Sequence, residues 1–325
     1  SSDDLTISGP ELARLSDEQL YNNIEKYSVY ARVAPEQKVR IVKAWQSKGH
    51  VVAMTGDGVN DSPALKAADI GAAMGITGTD VAKGAADMVL TDDNFATIIH
   101  SIEQGRGIYD NIKKDVHFLL SSNIGEIVAI FFASLITVLR PELNYGVPLL
   151  PIHLLWVNLI TDSLPAFAIG MEPINPKIME KKPRPKDESI FAHGLTYTIV
   201  WQGFMVGGLT LLSYVIGYHS VGHTTGMTMA FSTLAISELF HAFNLKSDGT
   251  IFNKNIFNNK WLNGAFVVGL ALQLILIYVR PIANVFKLVN LSLEMELIAL
   301  GLAMSVIPIV EVTKLIKKLF HKQID

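Results

Sequence analysis

The stretch from Val116 to Leu139, VHFLLSSNIGEIVAIFFASLITVL, is long and apolar enough to cross a bilayer as one helix, yet it carries Ser121, Ser122, Asn123 and Glu126. A carboxylate at bilayer depth costs about 2.5–3.5 kcal/mol on insertion scales, so it marks a function more often than an accident. Asn123 and Glu126 stand three apart, on one helix face. The next apolar stretch holds Asn158, Thr161 and Asp162, again on one face. The spacing predicts that the two faces meet and form an oxygen-lined cation site.

Composition agrees with a membrane chain. Of 325 residues, 50% are hydrophobic, and the mean hydropathy is +0.33. The apolar residues are unevenly spread. Residues 1–114 read as water-soluble, and the rest alternates long apolar runs with short polar loops. Net charge is −3, which says little about partners, and no basic cluster suggests a nucleic-acid partner. The absence of Cys excludes disulfides and thiolate metal sites. The first residues are polar and acidic, unlike a signal peptide, and the abrupt start reads as a fragment.

The soluble part alternates strand and helix patterns. Ser8 to Tyr27 is patterned as helix, with Ser16 and Gln19 spaced as a capping box. Val29 to Val33 reads as a strand, and Ala34 to Lys48 as a helix with Pro35 in its first turn and Gly49 past its end. Spacing alone makes Lys38 a solvated lysine of that helix. A buried strand, Val51 to Met54, then runs into Thr55-Gly56-Asp57-Gly58-Val59-Asn60-Asp61, and a helix starts at Ser62. Ligands bind at such strand ends in parallel α/β sheets. Asp57 and Asp61 offer oxygen ligands for Mg²⁺, and the helix start favours phosphate. Ile70 to Met74 and Met88 to Leu90 read as strands, with a short helix from Thr79 to Ala85 between them. From Asp93, capped by Asp93 or Asn94, a helix runs without proline into the membrane stretch, weakened only by Gly105 and Gly107.

These residues resemble a known family. Thr55 to Gly75, TGDGVNDSPALKAADIGAAMG, resembles the hinge motif of P-type ATPases. SSNIGE (121–126) and LLWVNLITDSLPA (154–166) resemble the ion-binding spans of the sarcoplasmic-reticulum type of calcium pump. The resemblance covers nearly the whole chain. It implies a partial α/β haloacid-dehalogenase-like phosphorylation domain over 1–92, a stalk helix over 93–115 and an all-α transmembrane bundle of six helices over 116–325. It implies that Thr55, Gly56, Asp57, Asn60 and Asp61 belong to the phosphorylation site, with Asp57 helping to hold Mg²⁺. Lys38, within ARVAPEQK, matches the family lysine that contacts the aspartyl phosphate, which replaces the solvated reading. The chain contains no Asp-Lys-Thr-Gly-Thr, Thr-Gly-Glu or Pro-Glu-Gly-Leu-Pro, and its Lys83-Gly84-Ala85 falls in the short helix pattern from Thr79 to Ala85, not in the nucleotide domain where the family carries Lys-Gly-Ala. In the family these lie upstream, so most of the ATP site, the actuator domain and the first four membrane helices are expected in an upstream part of the same pump.

Six spans are expected, roughly 116–139, 148–170, 195–217, 227–245, 261–279 and 293–313. Positive residues place residues 1–115 and the C-terminus on the cytosolic side. Lys177, Lys181, Lys182, Arg184 and Lys186 mark one cytosolic loop; Lys246, Lys254 and Lys260 flank another; Lys314, Lys317, Lys318 and Lys322 follow the last span. Pro165 deprives the Thr161 carbonyl of its helical partner. Gly203 and Gly207 predict close helix packing. Glu238, in LAISELFHAF, reads from position alone as either a ligand or a carboxyl buried against a neighbour. The resemblance makes it a ligand, so the expected Ca²⁺ set is Asn123, Glu126, Asn158, Thr161, Asp162 and Glu238. All offer oxygen, as hard cations require.

The leading expectation is therefore the C-terminal part of an ATP-driven, Ca²⁺-transporting P-type ATPase, working through an aspartyl phosphate with protons returning. Three facing carboxylates in low dielectric repel unless a cation or protons join them. The alternatives are the same machine with Mn²⁺, Na⁺ or another cation, or a membrane-anchored phosphatase, whose anchor would not need buried acids.

Overall fold

A computed structural model describes residues 5–143, 145–246, 249–251 and 256–321. Lys254 and Lys322, read above as loop charges, lie outside the described residues. The chain divides into two compact units. One comprises Ser1–Gly105 with Lys177–Ser189, the other Arg106–Pro176 with Ile190–Asp325.

The first unit is α/β. β1 (Leu5–Ser8) pairs in parallel with β2 (Tyr27–Ala31); α1 (Gly9–Arg14) and α2 (Asp17–Asn23) lie between them in sequence. The predicted helix over Ser8–Tyr27 is thus two short helices and a 3₁₀ turn, entered from a strand that the apolar spacing did not reveal. The capping box is present: the Gln19 amide donates to Ser16 Oγ at 3.1 Å, and the Ser16 amide to Gln19 Oε1 at 2.9 Å. Leu12, Leu20 and Ile24 close over Ile7 and Ala44 as one core. α3 (Pro35–Ser47) ends at Gly49, whose φ of +85° suits the left-handed turn. A second sheet, β3 (Ala53–Gly56), β4 (Ile70–Met74) and β5 (Met88–Leu90), is wholly parallel, its crossovers holding α4 (Ser62–Ala67) and α5 (Asp80–Ala85). β3 starts two residues later than predicted, because the Val52 amide donates to Asp69 Oδ2 at 2.9 Å instead of joining a ladder.

α6 runs unbroken from Phe95 to Leu139, so Gly105 and Gly107 do not interrupt it. Asn94 caps it, accepting the Ala96 amide at 3.0 Å. The second unit contains the rest of α6 and a set of further helices. α7 (Pro151–Trp156) continues through a π turn (Val157–Thr161) into α8 (Ser163–Gly170). α9 (Leu195–Ser220), α10 (His223–Asn244), α11 (Lys260–Tyr278), α12 (Arg280–Val285), α13 (Leu293–Met304) and α14 (Val306–His321) follow.

Among the described residues, five helical stretches are long and apolar enough to cross a membrane: Phe95–Leu139, Pro151–Gly170, Leu195–Ser220, Lys260–Tyr278 and Leu293–Leu319. The sixth expected span, 227–245, is not among them. The odd helix is α10, the predicted span over 227–245. It is long enough, but Thr224, Thr225, Thr228, Ser232, Thr233, Ser237, Glu238, His241 and Asn244 dilute its apolar content. The physical reason is its position: α10 is buried without a break from Thr225 to Leu239, so its sides face protein.

Close packing places α6 against α9, as the paired glycines predicted. A Cβ at Gly203 would stand 2.4 Å from Ile124 Cγ2, and one at Gly207 2.6 Å from the Gly125 carbonyl oxygen. A buried polar knot lies within the same unit. Lys246 Nζ sits 3.8 Å from Glu172 Oε1, with both side chains 8% exposed. Asn259 Nδ2 donates to Glu172 Oε2 at 2.8 Å, and Asn111 Nδ2 to the Glu172 carbonyl at 2.8 Å.

Candidate functional site

The predicted residues fall into two groups, one in each unit. In the first unit, Thr55 and Gly56 end β3, and the chain turns through Asp57 and Gly58 into the 3₁₀ turn Val59–Asp61 before α4. Asp57 and Asn60 face solvent, whereas Asp61 is 7% exposed. Lys38, from the first turns of α3, bonds Asp61 Oδ1, and the Gly58 amide donates to Asp61 Oδ2 at 3.3 Å. Burial by itself raises the Asp61 carboxyl. The Lys38 hydrogen bond, the Gly58 amide and the Lys38 charge outweigh burial and hold it below the usual carboxylate value. Gly56 is required by the same packing: a Cβ there would meet Asp61 Cβ at 2.4 Å. The turn therefore presents an ionised, lysine-paired Asp61 behind a solvent-facing Asp57. All the donors are oxygens, which suits a hard cation such as Mg²⁺.

In the second unit three helices converge. Glu126 of α6 is 7% exposed, Asp162 after the π turn 1%, and Glu238 of α10 fully buried. Glu126, Asp162 and Glu238 lie within electrostatic range of one another, and Ser122 lies beside Glu238. Asn158 Nδ2 donates to both Glu126 oxygens, at 2.8 and 3.0 Å. Among the described residues, no protein donor engages either carboxylate oxygen of Asp162 or Glu238. A buried carboxylate without donors is costly, and a cation or proton offsets that cost.

The backbone at this point is irregular. In the π turn the Asp162 amide reaches the Val157 carbonyl, five residues back, at 2.8 Å. Pro165 supplies no amide for Thr161, as the sequence predicted. Ser163 Oγ donates to the Asn158 carbonyl at 3.2 Å. π turns are over-represented at functional sites because they free carbonyls and redirect side chains.

Not every predicted residue joins this group to the same degree. Thr161 is buried at 2% exposure, while Asn158 is exposed on its outer side. Asn123 is half-buried on α6 and makes no hydrogen bond to the others. Among the described residues, no three acidic or histidine side chains converge tightly enough to form a ready-made metal cluster. Ser122 was missed as a site residue. The signal was there, because it stands four before Glu126 and shares its face.

Comparison with known proteins places the chain. The family model for the C-terminus of cation-transporting ATPases matches residues 146–316, more than half of the chain, and the model for haloacid dehalogenase-like hydrolases matches residues 2–69. The chain belongs to the cation-transporting ATPase family, as an integral membrane protein with a haloacid dehalogenase-like segment. "Calcium-transporting ATPase 1" of Bacillus cereus is 46% identical over 330 residues, which take in 95% of this chain and 36% of that protein. "Calcium-transporting ATPase" of Bacillus subtilis is 45% identical over 304 residues, 93% of this chain and 33% of that protein. "Calcium-transporting ATPase type 2C member 1" of Pongo abelii is 38% identical over 315 residues, 96% of this chain and 34% of that protein. The chain thus spans about a third of the length of the curated relatives it matches.

Proposed function

We propose that the chain is the C-terminal part of an ATP-driven pump that moves Ca²⁺ out of the cytosol through an aspartyl phosphate, with protons returning. The carrying observation is that Glu126, Asp162 and Glu238, from three helices, are buried within electrostatic range of one another beside a π turn. The calcium-transporting names of the relatives support the choice of ion. In this reading Ca²⁺ is cargo. Glu126, Asn158, Thr161, Asp162 and Glu238 hold it, with Asn123 on the same face of α6. Asn158 would turn its amide so that oxygen rather than nitrogen faces the ion, since a cation takes the place of the N–H it now donates to Glu126. Between Ca²⁺ loads, protons neutralise the carboxylates.

Residues 1–92 are read as the C-terminal part of the phosphorylation domain, 93–115 as stalk and 116–325 as the membrane domain, with α10 as a sixth, internal span. Residues 1–115 and the C-terminus are placed on the cytosolic side. An upstream part of the same pump would supply the phosphorylated aspartate, most of the ATP site, the actuator domain and four further membrane helices. Asp57 would help hold Mg²⁺, which screens the phosphoryl oxygens when bound. Lys38, positioned through Asp61, would stand ready to neutralise phosphoryl charge, with Thr55, Gly56 and Asn60 shaping the turn. α6 is the covalent element shared by both units and would carry the change between them.

The test is ATP hydrolysis by the full-length protein in chelator-buffered Ca²⁺, Mn²⁺ and Na⁺. Ca²⁺ should activate it at the lowest concentration. Asp162→Asn should abolish activation by Ca²⁺. Activation by Mn²⁺ alone would change the cargo, and hydrolysis indifferent to every ion would leave only a membrane-anchored phosphatase.

A further inference from the structure

Asp93 takes no part in capping α6, although it directly precedes the capping Asn94. Its φ is +49°, in the left-handed region that Asp and Asn tolerate better than most residues. That conformation turns its carboxylate back onto the loop that follows β4. Oδ1 accepts the Gly75 amide at 2.6 Å and the Ile76 amide at 2.9 Å. Oδ2 accepts the Thr77 amide and the Thr77 hydroxyl, each at 2.8 Å. Three successive amides aimed at one carboxylate form a small anion nest, and such charge-assisted bonds are the stronger kind. The Ile76 amide foremost, then the Thr77 hydroxyl and amide, hold the Asp93 carboxyl down at about 2. It is therefore ionised at every physiological pH.

The far end of the same loop touches the phosphorylation turn. The Thr79 amide donates to the Asp57 carbonyl at 2.9 Å, and Thr79 Oγ1 caps α5 by accepting the Ala82 amide at 3.3 Å. Residues 75–79 thus form a short strap. Asp93 fixes one end, and the other end fixes the backbone of Asp57. Asp57 itself faces solvent, so the strap is a principal restraint on where its side chain points.

We propose that Asp93 is a positioning residue for phosphoryl transfer, setting the orientation of Asp57 through the 75–79 strap. This rests on the reading of Asp57 as a Mg²⁺ ligand. Asp93 also lies two residues before the first residue of α6. A shift at the start of that helix would therefore reach the Mg²⁺ turn through four hydrogen bonds and one backbone link.

The experiment compares full-length wild type, Asp93→Asn and Asp92→Asn. Asn keeps the left-handed turn but loses the charge and one acceptor. Asp92 accepts from the Asn94 amide and Thr97 Oγ1 at the same helix start, without touching the strap. Phosphorylation by inorganic phosphate is followed as Mg²⁺ is varied, and hydrogen exchange of amides 75–79 is followed without Mg²⁺. Outer partners of metal ligands typically contribute 10–100-fold, so Asp93→Asn should raise half-saturating Mg²⁺ by about tenfold. It should also speed exchange at Gly75, Ile76 and Thr77, while Asp92→Asn changes neither. Faster exchange with an unchanged Mg²⁺ requirement would make Asp93 a loop brace only and overturn the proposal. If Asp93→Asn does not fold, Thr77→Val, which removes one bond of the four, is read in the same way. A rise of about twofold supports the proposal, and an unchanged curve overturns it. Wild type that takes no phosphate at any Mg²⁺ concentration would instead remove the reading of Asp57 beneath it.

Discussion

At residue scale, the turn from Thr55 to Asp61 depends on contacts that leave no room. Gly56 faces Asp61 so closely that a methyl group there must displace the Asp61 side chain. Gly56→Ala should destabilise the first unit by about 1–3 kcal/mol through overpacking. It should also pull Asp61 from Lys38. The check is thermal unfolding beside phosphorylation by inorganic phosphate; a variant as stable and as readily phosphorylated as wild type would show that the turn relaxes freely. Much of this was legible in the sequence. Gly56, Asp57 and Asp61 stood out as glycine and carboxylate at a strand end, where ligands gather. Lys38 was not legible from spacing, because its partner lies 23 positions away in sequence and only the fold joins them. Asp93 was legible only as a helix cap, because its positive φ is set by the loop it binds and not by its neighbours in sequence.

At element scale, Asp69 ties the first unit together. It follows α4 and accepts from the Val52 amide at 2.9 Å, from Gln46 of α3 at 3.1 Å and from Lys186 at 2.9 Å. The Val52 amide foremost, then Lys186 and Gln46, lower its carboxyl to about 2. A carboxyl lowered on folding stabilises the fold above its unfolded value of about 4, and that contribution fades as pH falls towards 2. Asp69→Asn should therefore melt lower than wild type at pH 7, and the gap should shrink as pH falls from about 4 through about 2. Paired melting curves across that range check this; a gap of constant size would mean the effect is steric. The same residue explains why β3 starts late. A side chain 17 positions away in sequence takes the Val52 amide that the strand pattern had assigned to the ladder. The π turn was half legible: Pro165 announced irregular backbone near Thr161, but not the extra residue per turn. Strand β1 was hidden because it is four residues long with only two large apolar residues, Leu5 and Ile7, and runs straight into α1.

At the scale of the whole molecule, hydropathy finds the five helical stretches long and apolar enough to cross a membrane and misses the one that faces protein. α10 carries Glu238 and is sheathed by its neighbours, so its polar residues meet partners such as Ser213, whose hydroxyl accepts from Thr233 at 2.7 Å. A helix of that kind is where a buried ion site is affordable, because the bundle already supplies polar company. The claim that orders the rest is that Glu126, Asp162 and Glu238 hold the transported ion. Equilibrium binding of ⁴⁵Ca²⁺ to the full-length protein, wild type beside Glu238→Gln, measures this without turnover. Losing an outer partner of a metal ligand costs about 10–100-fold in affinity, and neutralising a ligand should cost no less. Glu238→Gln should thus lower Ca²⁺ affinity by at least about tenfold, while phosphorylation by inorganic phosphate persists. Ca²⁺ bound as tightly and in the same amount by Glu238→Gln would place the cargo elsewhere.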